Sequence, residues 1–123
     1  MPPLMRLTAI TLDCPDPLAL AAFYEQATGL APHPESGAEF AGLRDGDGLV
    51  LGFQRVGDYR APTWPDPIVP QQLHLCFAVE DLAEAEARLL ALGAGKPEHQ
   101  PCEARWRVLT DPAGHPFCLV GGG

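Results

Sequence analysis

The sequence predicts an α+β fold built from a strand–helix–strands unit written twice. Residues 7–32, LTAITLDCPDPLALAAFYEQATGLAP, are echoed by residues 71–94, QLHLCFAVEDLAEAEARLLALGAG, and each copy is followed by two apolar stretches around a glycine-bearing turn. Length points the same way, because a fragment of about 60 residues buries too little surface to stand comfortably alone, whereas two such halves sharing a core suit a chain of 123 residues. The expectation is one domain, with a first module over about 5–56, a connector over about 57–71 and a second module over about 72–120.

In the first copy, residues 7–14 alternate. Ile10 and Leu12 share one face and Ala9, Thr11 and Asp13 the other, the period of a half-buried strand. Asp16 then offers its carboxylate to the unpaired N–H groups of a helix start, and Pro17 takes the first helical position, where its missing donor costs nothing. Leu20, Phe23, Tyr24 and Ala27 recur at helical spacing, and Gly29 supplies the left-handed residue that stops the helix.

The second copy obeys the same rules. Leu73, Leu75, Phe77 and Val79 face one way and His74, Cys76 and Ala78 the other. Asp81 caps the helix, Glu84 completes an acidic variant of the capping box, Leu82, Ala85, Leu89 and Leu92 make the apolar stripe, and Gly93 ends it. After each helix the chain is expected to return as antiparallel strands: FAGLRD and GLVLGFQRV around Gly46 and Gly48, then RWRVLTD and HPFCLV around DPAG. An offset of 65 residues aligns Ala9 with His74, and one of 66 aligns DGDGLVLGF with DPAGHPFCL, setting Gly52 against Cys118 in the repeat. Residues 57–71 carry four prolines and read as a semi-rigid connector, with 95–104 as a shorter polar counterpart.

Composition narrows the function. The chain is 46% hydrophobic and 20% charged, with no apolar run near the roughly 18 residues of a membrane span and no signal-peptide pattern at its start, so a soluble, cytoplasmic protein is expected. A net charge of −8 repels phosphate backbones and anionic lipid, which argues against nucleic-acid and membrane partners and favours a cationic ligand. Cys14, Cys76, Cys102 and Cys118 include no CxxC pair and read as reduced, packed thiols, with a disulfide or a metal cluster as the alternative.

The segments LDCPDPLALAAFYEQATGL, DGDGLVLGFQRV, LHLCFAVEDLAEAEARLLALGA and RWRVLTDPAGHPFCLV resemble the vicinal oxygen chelate superfamily, which includes glyoxalases, bleomycin-resistance proteins and extradiol dioxygenases. They look most like its glyoxalase-like domain branch. The resemblance implies tandem βαβββ modules forming a curved, cup-shaped mixed sheet with helices on the outside, often completed by a homodimer. In metal-dependent relatives the cup holds one divalent ion on four side chains, and the corresponding slots here are Ala9, Gly52, His74 and Cys118.

Half of that ligand set is missing, since alanine has no donor atom and glycine no side chain. An open catalytic site takes about three protein ligands, so no cofactor and no metal are expected; a divalent ion (Zn, Mg, Mn, Fe or Ni) is the alternative, in one form a soft zinc site on His74, Cys76 and Cys118. Same-face neighbours about 7 Å apart would have to converge to make it.

Strand parity places Thr11, Gln54, His74, Cys76 and Cys118 on the face predicted to bind a small molecule, with Trp64 and Trp106 as stacking surfaces. Trp106 also reads as a core or interface filler, and Arg105 and Arg107 as carboxylate binders or a solvated face. The candidate catalytic residues are His74 as a general base and Asp13 as the carboxylate orienting it; the plainer alternative is a hydrogen-bonded histidine and a solvated aspartate. The leading functional expectation is a metal-free protein binding a small, cationic aromatic molecule. The alternatives are a glyoxalase-type lyase acting on a small oxygenated substrate, and a degenerate dimeric scaffold.

Overall fold

The computed structural model describes residues 3–121, and the chain divides in sequence between Tyr59 and Arg60 into two units. The first contains β1 (Ala9–Cys14), α1 (Pro17–Thr28), β2 (Ala31–Pro32), β3 (Phe40–Arg44) and β4 (Val50–Arg55). Its sheet runs in the order β1-β4-β3-β2. β1 and β4 are parallel, which requires a crossover, and α1 lies within it; the other pairs are antiparallel.

The expected alternation holds in β1. Leu12 and Cys14 are buried while Ala9, Thr11 and Asp13 are exposed. α1 contributes Leu20, Phe23 and Tyr24 to the same apolar layer, with Tyr24 stacked parallel to Phe53 at a ring separation of 5.5 Å. The helix begins and ends as its sequence requires: the Asp16 carboxylate accepts the Ala19 N–H at 3.2 Å, and Gly29 adopts φ 74°.

The second unit contains β5 (Leu75–Ala78), α2 (Leu82–Leu92), β6 (Trp106–Thr110) and β7 (Pro116–Val120), in the order β5-β7-β6. β5 and β7 are parallel, β6 and β7 antiparallel. Register preserves the repeat, for Thr11 faces Gly52 across β1 and β4 as Cys76 faces Cys118 across β5 and β7. The turns repeat as well: Gly48 and Gly114 both have φ 90°, and their N–H groups donate to the carbonyls of Asp45 and Asp111 at 3.0 and 2.8 Å.

Two details depart from expectation. Among the described residues the second unit has three strands, where the duplicated pattern implied four. Pro97 and Pro101 lack the donors a fourth strand would need, and the edge of β6 is closed instead by a single Gly95–Thr110 bridge and by Gln100. The Gln100 amide donates to the Val108 carbonyl at 2.8 Å and accepts the Val108 N–H at 2.9 Å, copying a strand neighbour with one side chain. Of the predicted α2 stripe, Leu89 is buried while Leu92 is exposed. Asp81 caps α2 by accepting the Glu84 N–H at 3.0 Å, and the Glu84 carboxylate lies 3.9 Å from Arg88. No helix among the described residues is long and apolar enough to cross a membrane.

Candidate functional site

The second unit carries the densest chemistry. Cys76 on β5 and Cys118 on β7 are directly paired across parallel strands, so their side chains leave the same face of the sheet. His74 precedes β5 by one residue and, two positions from Cys76, shares that face. One ligand atom from each of the three residues lies within 4.8 Å of the other two; His74 and Cys76 are exposed and Cys118 is half-buried. Strand spacing alone left these groups about 7 Å apart along the strand. The cross-strand pairing and the reach of the imidazole close that gap.

Burial pushes the Cys118 thiol above its ordinary pKa, and the adjacent Cys76 adds to the rise. An unassisted Cys118 is therefore a protonated thiol at neutral pH rather than an activated nucleophile.

One row further along the same face, about 7 Å away by strand rise, Trp106 pairs across the sheet with Val120. Trp106 is half-buried and lines a surface cleft of about 710 Å³ together with Glu80, Asp81, Leu82, Arg105 and Val120. Aromatic, acidic and basic groups thus meet at one open edge. Glu80 carried no signal in the sequence, since it lies just beyond the strand pattern that located its neighbours.

Trp64 lies apart from that cleft's lining and packs at a tilt on His99, with ring centroids 5.4 Å apart. Arg107 is turned to the helix side, 3.5 Å from the Glu86 carboxylate, so it is committed to an ion pair rather than offered to a ligand. Lys96 bridges Glu86 and Glu103 at 3.2 and 2.9 Å. Those contacts, that with Glu103 foremost, raise the Lys96 pKa, and Lys96 in turn lowers that of Glu103.

The remaining candidates belong to the first unit. Thr11 and Gln54 are exposed on β1 and β4, and Asp13 pairs in register with Gln54 on the same open face. Asp13 thus stands in one unit and His74 in the other.

These features meet a match to known proteins. The model of the glyoxalase-like domain covers residues 9–120. The chain belongs to the glyoxalase-like domain family. Its superfamily is that of the vicinal oxygen chelate proteins. It is 37% identical over 111 residues to proteins named "Putative glyoxylase CFP32" in Mycobacterium bovis and Mycobacterium tuberculosis, which covers 88% of this chain. The chain spans 40% of the length of those curated relatives. Two solved structures share the fold. One is a glyoxalase/bleomycin resistance protein/dioxygenase family enzyme from Burkholderia phytofirmans, with TM-score 0.69, 20% identity and coverage of 95% of this chain and 98% of that one. The other is the fosfomycin resistance protein FosX from Listeria monocytogenes, with TM-score 0.70, 20% identity and coverage of 98% and 93%.

In this glyoxalase-like domain the residues present do not fit a hard divalent ion held on the superfamily's four positions. Ala9 offers no donor atom. Gly52 offers no side chain, and a Cβ there would meet the Phe40 ring at 2.9 Å and the Thr11 hydroxyl at 3.0 Å, so its place is already filled. The two positions in the second unit carry an imidazole and a thiol, and a thiol is a poor partner for magnesium or manganese.

Proposed function

We propose that this glyoxalase-like domain binds a small organic molecule of cationic and aromatic character at the open edge of its second unit, without a hard divalent ion on the superfamily's four positions. The observation that carries the proposal is the cleft of about 710 Å³ in which Trp106 stands beside Glu80 and Asp81. A flat cation gains from stacking on an indole face and from nearby carboxylates, and the net charge of −8 draws it in. A second copy of the chain is the proposed protein partner, with Leu4, Met5 and Leu7 offering exposed apolar surface for it.

The test is thermal unfolding with cationic aromatic glycopeptides and, separately, with aromatic carboxylates. A cationic ligand at about 100 times its Kd adds about 2.7 kcal/mol, a rise in Tm of roughly 10 °C for a chain of this size. Glu80→Gln and Trp106→Phe are expected to remove most of that rise while leaving the unliganded Tm within a few degrees. Stabilisation by carboxylates alone, or an unchanged response in both variants, contradicts the proposal.

A second reading follows from the name of the 37%-identical relatives: a glyoxalase-type lyase acting on a small oxygenated substrate. His74, exposed on the open face, is the general base that reading requires. Turnover of such a substrate, abolished by His74→Ala, would favour it over simple binding.

A further inference from the structure

Among the described residues, one group of His, Cys, Asp and Glu side chains converges closely enough to share an ion, and it is His74, Cys76 and Cys118. We propose that these three residues form a thiophilic metal site, built wholly within the second unit, that takes zinc(II) in a three-ligand arrangement with its fourth position open. The site keeps two of the superfamily positions, His74 and Cys118, and replaces both missing partners from the first copy with Cys76.

The donor set decides the ion. One imidazole nitrogen and two sulfurs suit a tetrahedral d10 cation, whereas magnesium and manganese prefer oxygen. Zinc–sulfur bonds of about 2.3 Å in a tetrahedron hold two sulfurs about 3.8 Å apart. The ligand atoms already lie within 4.8 Å of one another, so the two sulfurs need to close by at most about 1 Å. His74 and Cys76 are exposed and can supply it by side-chain rotation, while the half-buried Cys118 is held by β7. As each sulfur–metal bond forms, the thiol proton passes to solvent and the pair of thiolates neutralises the ion's charge. The open position then accepts water or an oxygen or nitrogen donor of an incoming ligand.

Cys76 and Cys118 are free thiols in direct cross-strand register, so oxidation to a disulfide is the competing fate to be blocked during measurement. This proposal goes beyond small-molecule binding and is tested with metal alone. Its failure leaves the Trp106 cleft untouched, and loss of ligand binding in Glu80→Gln says nothing about zinc.

The experiment titrates zinc(II) into the full chain, reduced with a non-thiol phosphine, against a chromophoric chelator, with cobalt(II) as a spectroscopic stand-in. The expected result is one zinc per chain, a rise in Tm, and thiolate-to-cobalt charge-transfer absorption. His74→Ala and Cys76→Ser, both at exposed positions, should each weaken binding by more than about 100-fold, beyond the loss usual for a residue that merely supports a ligand. Cys118→Ser should do the same; should that variant misfold, the two exposed positions and the cobalt spectrum of the unaltered chain decide the matter. Absence of stoichiometric zinc in the reduced protein overturns the proposal. So does zinc binding that survives Cys76→Ser unchanged, or a cobalt complex without the sulfur band.

Discussion

Asp111 is an acidic side chain held at 3% exposure, and its Oδ1 accepts the N–H groups of Ala113 and His115 at 2.9 and 3.0 Å. It shapes the turn that returns the chain into β7 and so fixes where Cys118 emerges. Asp111→Ala removes the carboxylate acceptor of both N–H groups and is expected to cost about 1–3 kcal/mol, measured by denaturant unfolding; a loss below about 0.5 kcal/mol would show that water replaces the carboxylate freely. The repeat made this residue readable in principle, for Asp45 makes the first of these two bonds one copy earlier by accepting the Asp47 N–H at 2.7 Å. What could not be read was convergence. The period of two places His74, Cys76 and Cys118 on one face, but whether their tips meet depends on rotamers and sheet twist, which no residue pattern records. Arg107 illustrates the same limit. Parity assigned it the face opposite Trp106, and only packing against α2 shows that Glu86 occupies it.

At the scale of elements, starts and stops were the most legible features, because they rest on local chemistry. Asp16, Asp81, Gly29 and Gly93 each act where a carboxylate cap or a left-handed residue is needed, and none requires a distant partner. The missing fourth strand of the second unit was harder to foresee, since it depends on what else can satisfy the β6 edge. Gln100 does so with both ends of its amide. Gln100→Ala should therefore destabilise the chain by about 1–3 kcal/mol and speed hydrogen exchange at the Val108 amide, while Gln100→Glu, which keeps only the acceptor, should fall between. Unaltered exchange at Val108 in the alanine variant would show that the edge is protected by something other than that amide.

For the molecule as a whole, duplication explains both the economy of the fold and the asymmetry of its chemistry. The first copy presents Ala9, Thr11 and Gly52 where the second presents His74, Cys76 and Cys118, so equivalent backbone positions carry a single hydroxyl in one unit and three metal-binding groups in the other. Family membership supplies the scaffold; the side chains on it determine which ion or ligand is accepted. Ala9 and Gly52 leave a hard ion without donors from the first unit, and the proposed zinc site in the second unit is what distinguishes this chain's chemistry. The most direct measurement is elemental analysis of the reduced chain after equilibration with magnesium, manganese and zinc at equal concentration. One zinc per chain with neither of the other two retained is the expected result; stoichiometric manganese or magnesium, released on His74→Ala, would contradict a soft site at these residues.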